Sequence, residues 1–124
     1  MTITDTEWAV MELVWARPGV KGREFVEWFS ASRGWSRSTT LTLLRRLEQK
    51  GAVQSSALEG AKRYYPLISR DEAALCETDS FIKRVYHGSL SQLVSTFTSR
   101  QTLSKEEIEE LSAMLRDMEE KRDA

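Results

Sequence analysis

Four helix starts are legible in this chain, each where a Ser or Thr at the edge of an apolar-periodic run is followed three residues later by Glu or Gln: Thr4 with Glu7, Ser69 with Glu72, Ser89 with Gln92, and Ser104 with Glu107. In a capping box the hydroxyl oxygen accepts an orphan N–H of the first helical turn, and the acid or amide reaches back to the cap's own N–H. Each pair therefore predicts a helix start, and four of them make the chain mainly helical. Ile3 and Leu103 precede the first and last caps, placed to pack on Trp8 and Ile108 as hydrophobic staples.

Between these starts the pattern resolves further. A first helix is expected from Asp5 to about Ala16, with Trp8, Met11 and Trp15 on one stripe and Pro18-Gly19 as its stop. A second, from Gly22 to about Ala31, is expected to bury Phe25, Trp28 and Phe29. Ser36 has the chemistry to cap a third, which continues to Lys50 and is stopped by Gly51. A hairpin follows: Val53–Ala57, a polar turn at Glu59-Gly60, then Lys62–Tyr65 closed by Pro66. Helix, helix, helix, hairpin is the order of a winged helix-turn-helix domain, assigned to residues 1–68.

Residues 69–124 read as three helices: Arg70 to about His87, Leu90 to Ser99, and Lys105 to about Lys121. Leu90, Leu93, Val94 and Phe97 form one apolar stripe, and Ile108, Leu111, Leu115 and Met118 another. The simplest cover for them is a second copy of the chain, an isologous homodimer through this helical arm. Packing onto the winged domain is the alternative. Met114 and Met118 with His87 invite a copper site, but methionines at helical spacing are ordinarily core.

Composition bears on function through its distribution. The net charge is −1, yet residues 17–70 carry eleven Lys or Arg against four acids, while residues 71–124 carry seven against twelve. A local basic patch, not the net figure, is what meets phosphate. A chain of 124 residues leaves no room for a large enzyme core. One histidine, no nucleophile or paired-carboxylate constellation and no glycine-rich phosphate loop argue against catalysis or a cofactor. Cys76 is the single cysteine, read as a free thiol on a helix and not as a redox switch. The absence of a long apolar run and the acidic start MTITDTEWAV lead to the expectation of a soluble, cytoplasmic protein with no membrane partner.

At about 100° per residue, Leu43, Leu44 and Leu47 define the buried side of the third helix, with Thr40 at its edge. Ser38, Thr42, Arg45 and Gln49 lie opposite, with Arg37, Leu41 and Arg46 on the shoulders. Short hydroxyls can approach base edges, and arginine binds guanine bidentately or clamps phosphate. A solvated helix face would look similar, but the helix before the hairpin is the one that enters the major groove in such domains. Lys62 and Arg63 on the hairpin are placed to grip the flanking backbone.

The run Trp35-Ser36-Arg37-Ser38-Thr39-Thr40-Leu41-Thr42-Leu43-Leu44-Arg45-Arg46-Leu47, followed by Lys50-Gly51, resembles the recognition helix of the penicillinase and methicillin-resistance repressors and their copper-responsive relatives, the BlaI/MecI/CopY family. Ile3–Trp8, Tyr65–Ser69, and Gly88-Ser89-Leu90 with Leu93, Val94 and Phe97 extend the resemblance over nearly the whole chain. It implies a homodimeric transcriptional repressor on a palindromic double-stranded operator, controlling a resistance or homeostasis operon. Thr39, Thr42 and Arg46 match the family pattern, whereas Leu41 stands where relatives often carry a polar or basic residue. Copper-responsive members carry Cys-x-Cys pairs near the C-terminus, and no cysteine follows Cys76. Antibiotic-responsive members are cleaved by a regulatory protease at an Asn-Phe bond, and the matching pair here is Thr96-Phe97. The competing function is a DNA-free helical adaptor that uses the amphipathic arm to bind another protein.

Overall fold

The structure, a computed structural model, describes residues 1–100 and 102–123. Its order is α1 (Asp5–Ala16), β1 (Val20–Lys21), α2 (Gly22–Arg33), α3 (Arg37–Gln49), β2 (Val53–Leu58), β3 (Ala61–Pro66), α4 (Arg70–Tyr86), α5 (Leu90–Arg100) and α6 (Lys105–Asp123). Two compact units divide it, Met1–Ser80 and Phe81–Ala124.

All four predicted caps start helices. The box closes reciprocally at Thr4, whose Oγ1 accepts from Glu7 N at 3.3 Å while Thr4 N donates to Glu7 Oε1 at 3.0 Å. At Ser69, Ser89 and Ser104 the hydroxyl accepts the expected amide at 3.1, 3.2 and 3.1 Å. Those three ends are exposed, so water can serve the cap's own N–H and the return bond is not needed. Ser36 Oγ likewise accepts from Thr39 N at 3.1 Å. α3 ends in a Schellman motif: Ala52 N donates to Leu47 O and Gly51 N to Glu48 O, both at 3.0 Å. Gly51 supplies the left-handed turn, with φ of 78°.

The sheet has the order β1-β3-β2 and is antiparallel throughout. β1 escaped the sequence reading because two residues carry no periodicity. It joins β3 with Val20 opposite Tyr64 and Lys21 opposite Arg63. In the hairpin Val53 pairs with Pro66 and Ala57 with Lys62, leaving Glu59 and Gly60 as a two-residue turn with φ of 57° and 78°. Positive φ at both central residues is the type I′ geometry that matches strand twist.

The core of this unit is built from one stripe of each helix and the sheet: Val10, Met11 and Val14, Phe25 and Phe29, Leu43, Leu44 and Leu47, with Val53 and Tyr64. Each such side chain contributes roughly 1.5–3 kcal/mol by leaving water. Phe25 meets Tyr64 edge-on, with ring centroids 5.6 Å apart. Trp28 departs from expectation: it is 53% exposed. The buried direction of α2 lies between Phe25 and Phe29, and Trp28 is rotated about 100° from Phe29. Trp35, from the α2–α3 connection, stacks on Phe29 instead, at 4.7 Å and 20° between planes.

In the second unit no residue of α5 or α6 is buried. Leu90, Val94, Phe97, Ile108, Leu111, Leu115 and Met118 are exposed and Leu93 is half-buried. Leu103 and Ile108 line one open groove with Leu111 and Leu115, of about 470 Å³. Among the described residues, no helix is long and apolar enough to cross a membrane, and no group of three or more His, Cys, Asp or Glu is placed to hold a metal.

Candidate nucleic-acid interface

The two sides of α3 separate as the helical angles require. Thr40, Leu43, Leu44 and Leu47 are buried, and Arg37, Ser38, Thr39, Arg45, Arg46 and Gln49 are exposed. Thr42 is half-buried. Thr39 is partly committed to the cap, since its Oγ1 lies 3.0 Å from Ser36 Oγ. Leu41 is half-buried and leans on the core, so it sits at the border between core and outer face.

The hairpin stands beside this helix. An open groove of about 530 Å³ is lined by Leu41, Arg45, Glu48 and Gln49 of α3 and by Lys62 and Tyr64 of β3. Glu48 ties the two elements, its Oε2 accepting from Ser55 Oγ at 3.2 Å. Burial, and after it the nearby Glu48 charge, raises the pKa of Tyr64, which lines the groove. Lys62 is exposed and available. Arg63 is half-buried and donates from Nη1 to Gly19 O at 3.0 Å, so its guanidinium serves the β1–β3 edge as well.

Two cations absent from the sequence reading join the site. Lys21 and Arg23 share a second cleft, of about 550 Å³, with Arg37, Leu41, Glu59 and Lys62. The missing signal was β1, which brings residues 20 and 21 to the sheet beside β3.

Behind the interface, α3 is pinned to the N-terminus. Lys50 Nζ lies 2.6 Å from Glu7 Oε1 and donates to Thr2 O at 2.7 Å. The Glu7 side chain is 2% exposed and that of Lys50 31%. Burial pushes the Glu7 carboxyl upward, but the Lys50 ammonium and the Thr4 cap together outweigh it and hold the carboxyl below its ordinary range. Glu7 thus joins the α1 cap to the end of the helix that carries the outward arginines.

Comparison with known proteins bears directly on this arrangement. The family model described as penicillinase repressor matches residues 3–117. The chain belongs to the penicillinase repressor family. Among its relatives, the methicillin resistance regulatory protein MecI of Mammaliicoccus sciuri is 32% identical over 113 residues, covering 91% of this chain and 92% of that protein. The penicillinase repressor of Bacillus licheniformis is 33% identical over 113 residues, covering 91% and 88%. The solution structure of monomeric Bacillus licheniformis BlaI in complex with the blaP half-operator matches with a TM-score of 0.53 and 29% identity, covering 58% of this chain and 88% of that one.

Membership in the penicillinase repressor family makes this chain one of the winged-helix transcription regulators. In this penicillinase repressor family member the Thr96-Phe97 bond lies inside α5, where Thr96 O accepts from Ser99 Oγ at 3.0 Å.

Proposed function

We propose that the chain is a homodimeric transcriptional repressor that binds a palindromic operator through α3 and the wing. The carrying observation is the exposed row Arg37, Ser38, Arg45 and Arg46 on a helix whose opposite side is fully buried, with Lys62 across the adjoining groove. Ser38, Thr39, Leu41 and Thr42 are assigned to base edges, and Arg37, Arg45, Arg46, Lys62 and Arg63 to phosphates or guanines. The arm supplies the second half-site reader: its apolar stripes are exposed in a single chain, and a second copy of the same arm would bury them. Cleavage at or near Thr96-Phe97 would cut the helix that carries one stripe, separating the linked readers and lowering operator affinity.

Duplexes selected from a random library by the purified full chain should share two inverted half-sites, and binding should weaken steeply between 50 and 200 mM salt as counterions are released. No enrichment and no salt-dependent duplex binding would overturn the reading. An arm-borne protein contact that survives loss of Arg45 and Arg46 would then favour the DNA-free adaptor.

A further inference from the structure

The cleft beside the wing turn gathers charge from three parts of the chain. Lys21 ends β1, Arg23 lies in the first turn of α2, Arg37 opens α3, and Lys62 is next to the turn on β3. The ion pairs among the described residues are Glu7–Lys50, Glu12–Arg70 and Asp117–Lys121. Among the described residues, none of the four cleft cations lies within ion-pairing distance of a carboxylate. One acid stands on the same rim: Glu59, exposed, at the tip of the wing.

Glu59 is an unexpected occupant twice over. A type I′ turn favours Asn or Asp before Gly, because their short polar side chains can hydrogen-bond locally at positive φ, yet Glu59 holds φ of 57°. Its negative charge also stands on the rim of a cleft lined by four cations, which would attract an anion.

We propose that this cleft seats a DNA backbone phosphate, with Lys21 and Arg23 as clamps and Glu59 as the charge that limits how tightly the seat holds. The inference rests on the DNA-binding reading and adds to it a contact outside α3 and the wing strands. A phosphate contact carries no sequence information, so Glu59 tempers binding to every duplex alike. Removing one unit of negative charge a few ångströms from a phosphate, in a water-like dielectric, is worth about a threefold gain in affinity at low salt.

The test is fluorescence anisotropy of the full chain on a selected duplex and on a scrambled one, from 50 to 200 mM salt. Glu59→Gln, which removes the charge and keeps the turn residue's shape, should tighten both duplexes about threefold or more and steepen the salt slope by up to about one. Lys21→Ala with Arg23→Ala should weaken both duplexes and flatten the slope by about two. In that background the gain from Glu59→Gln should shrink. Unchanged affinity and slope in Glu59→Gln, while the parent chain binds duplex normally, would overturn the phosphate seat alone. Failure of the parent chain to bind either duplex would overturn the DNA-binding reading with it.

Discussion

Replacing Lys50 with methionine keeps most of the aliphatic stem and removes the cation paired with the buried Glu7 carboxylate. Deleting one partner of a buried ion pair costs about 3–5 kcal/mol, because a charge is left in a poorly solvated place. Lys50 is about one-third exposed, with a side-chain value of 31%, so screening lowers that figure to roughly 2–3 kcal/mol. For a unit the size of Met1–Ser80, each kcal/mol moves Tm by about 4–8 °C, giving an expected fall of roughly 10–20 °C. The four tryptophans, Trp8, Trp15, Trp28 and Trp35, all lie in that unit, so intrinsic fluorescence during heating of the full chain reports it selectively.

The pH dependence gives the sharper discrimination. In the parent chain the folded Glu7 carboxyl sits below its unfolded value, so its stabilising contribution is complete above the ordinary carboxylate range and is lost as pH falls through the folded value. Without Lys50 the folded value rises, because only the Thr4 cap is left to oppose burial. The variant therefore gains less stability than the parent as Glu7 ionises with rising pH. The gap between parent and variant should accordingly be widest near neutrality and narrow toward pH 4. Glu7→Gln combined with Lys50→Met should recover part of the loss, since no charge is then buried. A gap that does not vary with pH, or a Tm change of only a degree or two, would refute the reasoning.

Three further outcomes follow from the same structure. Arg45→Ala and Arg46→Ala should each weaken duplex binding and, where the arginine meets a phosphate, reduce the salt slope by about 0.9, measured by anisotropy on a selected duplex. Leu111→Asp, placed on the exposed apolar face of α6, should shift the chain from dimer to monomer in sedimentation velocity, lowering affinity for a two-half-site duplex while half-site affinity holds. Glu59→Asn should stabilise the first unit by about 0.5–1 kcal/mol in urea unfolding, since Asn tolerates the left-handed turn better than Glu.

What the sequence made legible was local in its physics. Caps at Thr4, Ser36, Ser69, Ser89 and Ser104 depend on residues three apart, and each stands where expected. The division of α3 into a leucine side and an arginine side follows from helical geometry alone. Features that depend on distant chain were not readable. Glu7 looked like a cap partner and no more, because its pairing with Lys50 spans 43 positions and no periodicity marks a buried acid. Trp28 is expected in the core because hydropathy does not say which of three neighbouring aromatics point inward; Phe25 and Phe29 do, and Trp35 takes the place beside Phe29. Lys21 and Arg23 were overlooked for want of β1, and nothing in the sequence marks the bond from Arg63 to the Gly19 carbonyl, because it crosses the sheet.

The joint between α3 and the wing bears on how such a chain can diverge. Gly51 and Ala52 close the helix with the same two bonds that lead into β2, Ala52 is fully buried, and its carbonyl accepts from Leu67 N at 2.9 Å. Insertions or deletions at this joint would re-aim the helix against the hairpin, whereas residues added at the exposed Glu59-Gly60 tip would lengthen the wing without disturbing either. Among descendants of a common ancestor, wing length is therefore free to drift while the helix-to-strand spacing is not, and changes of operator preference should be found as side-chain replacements on α3.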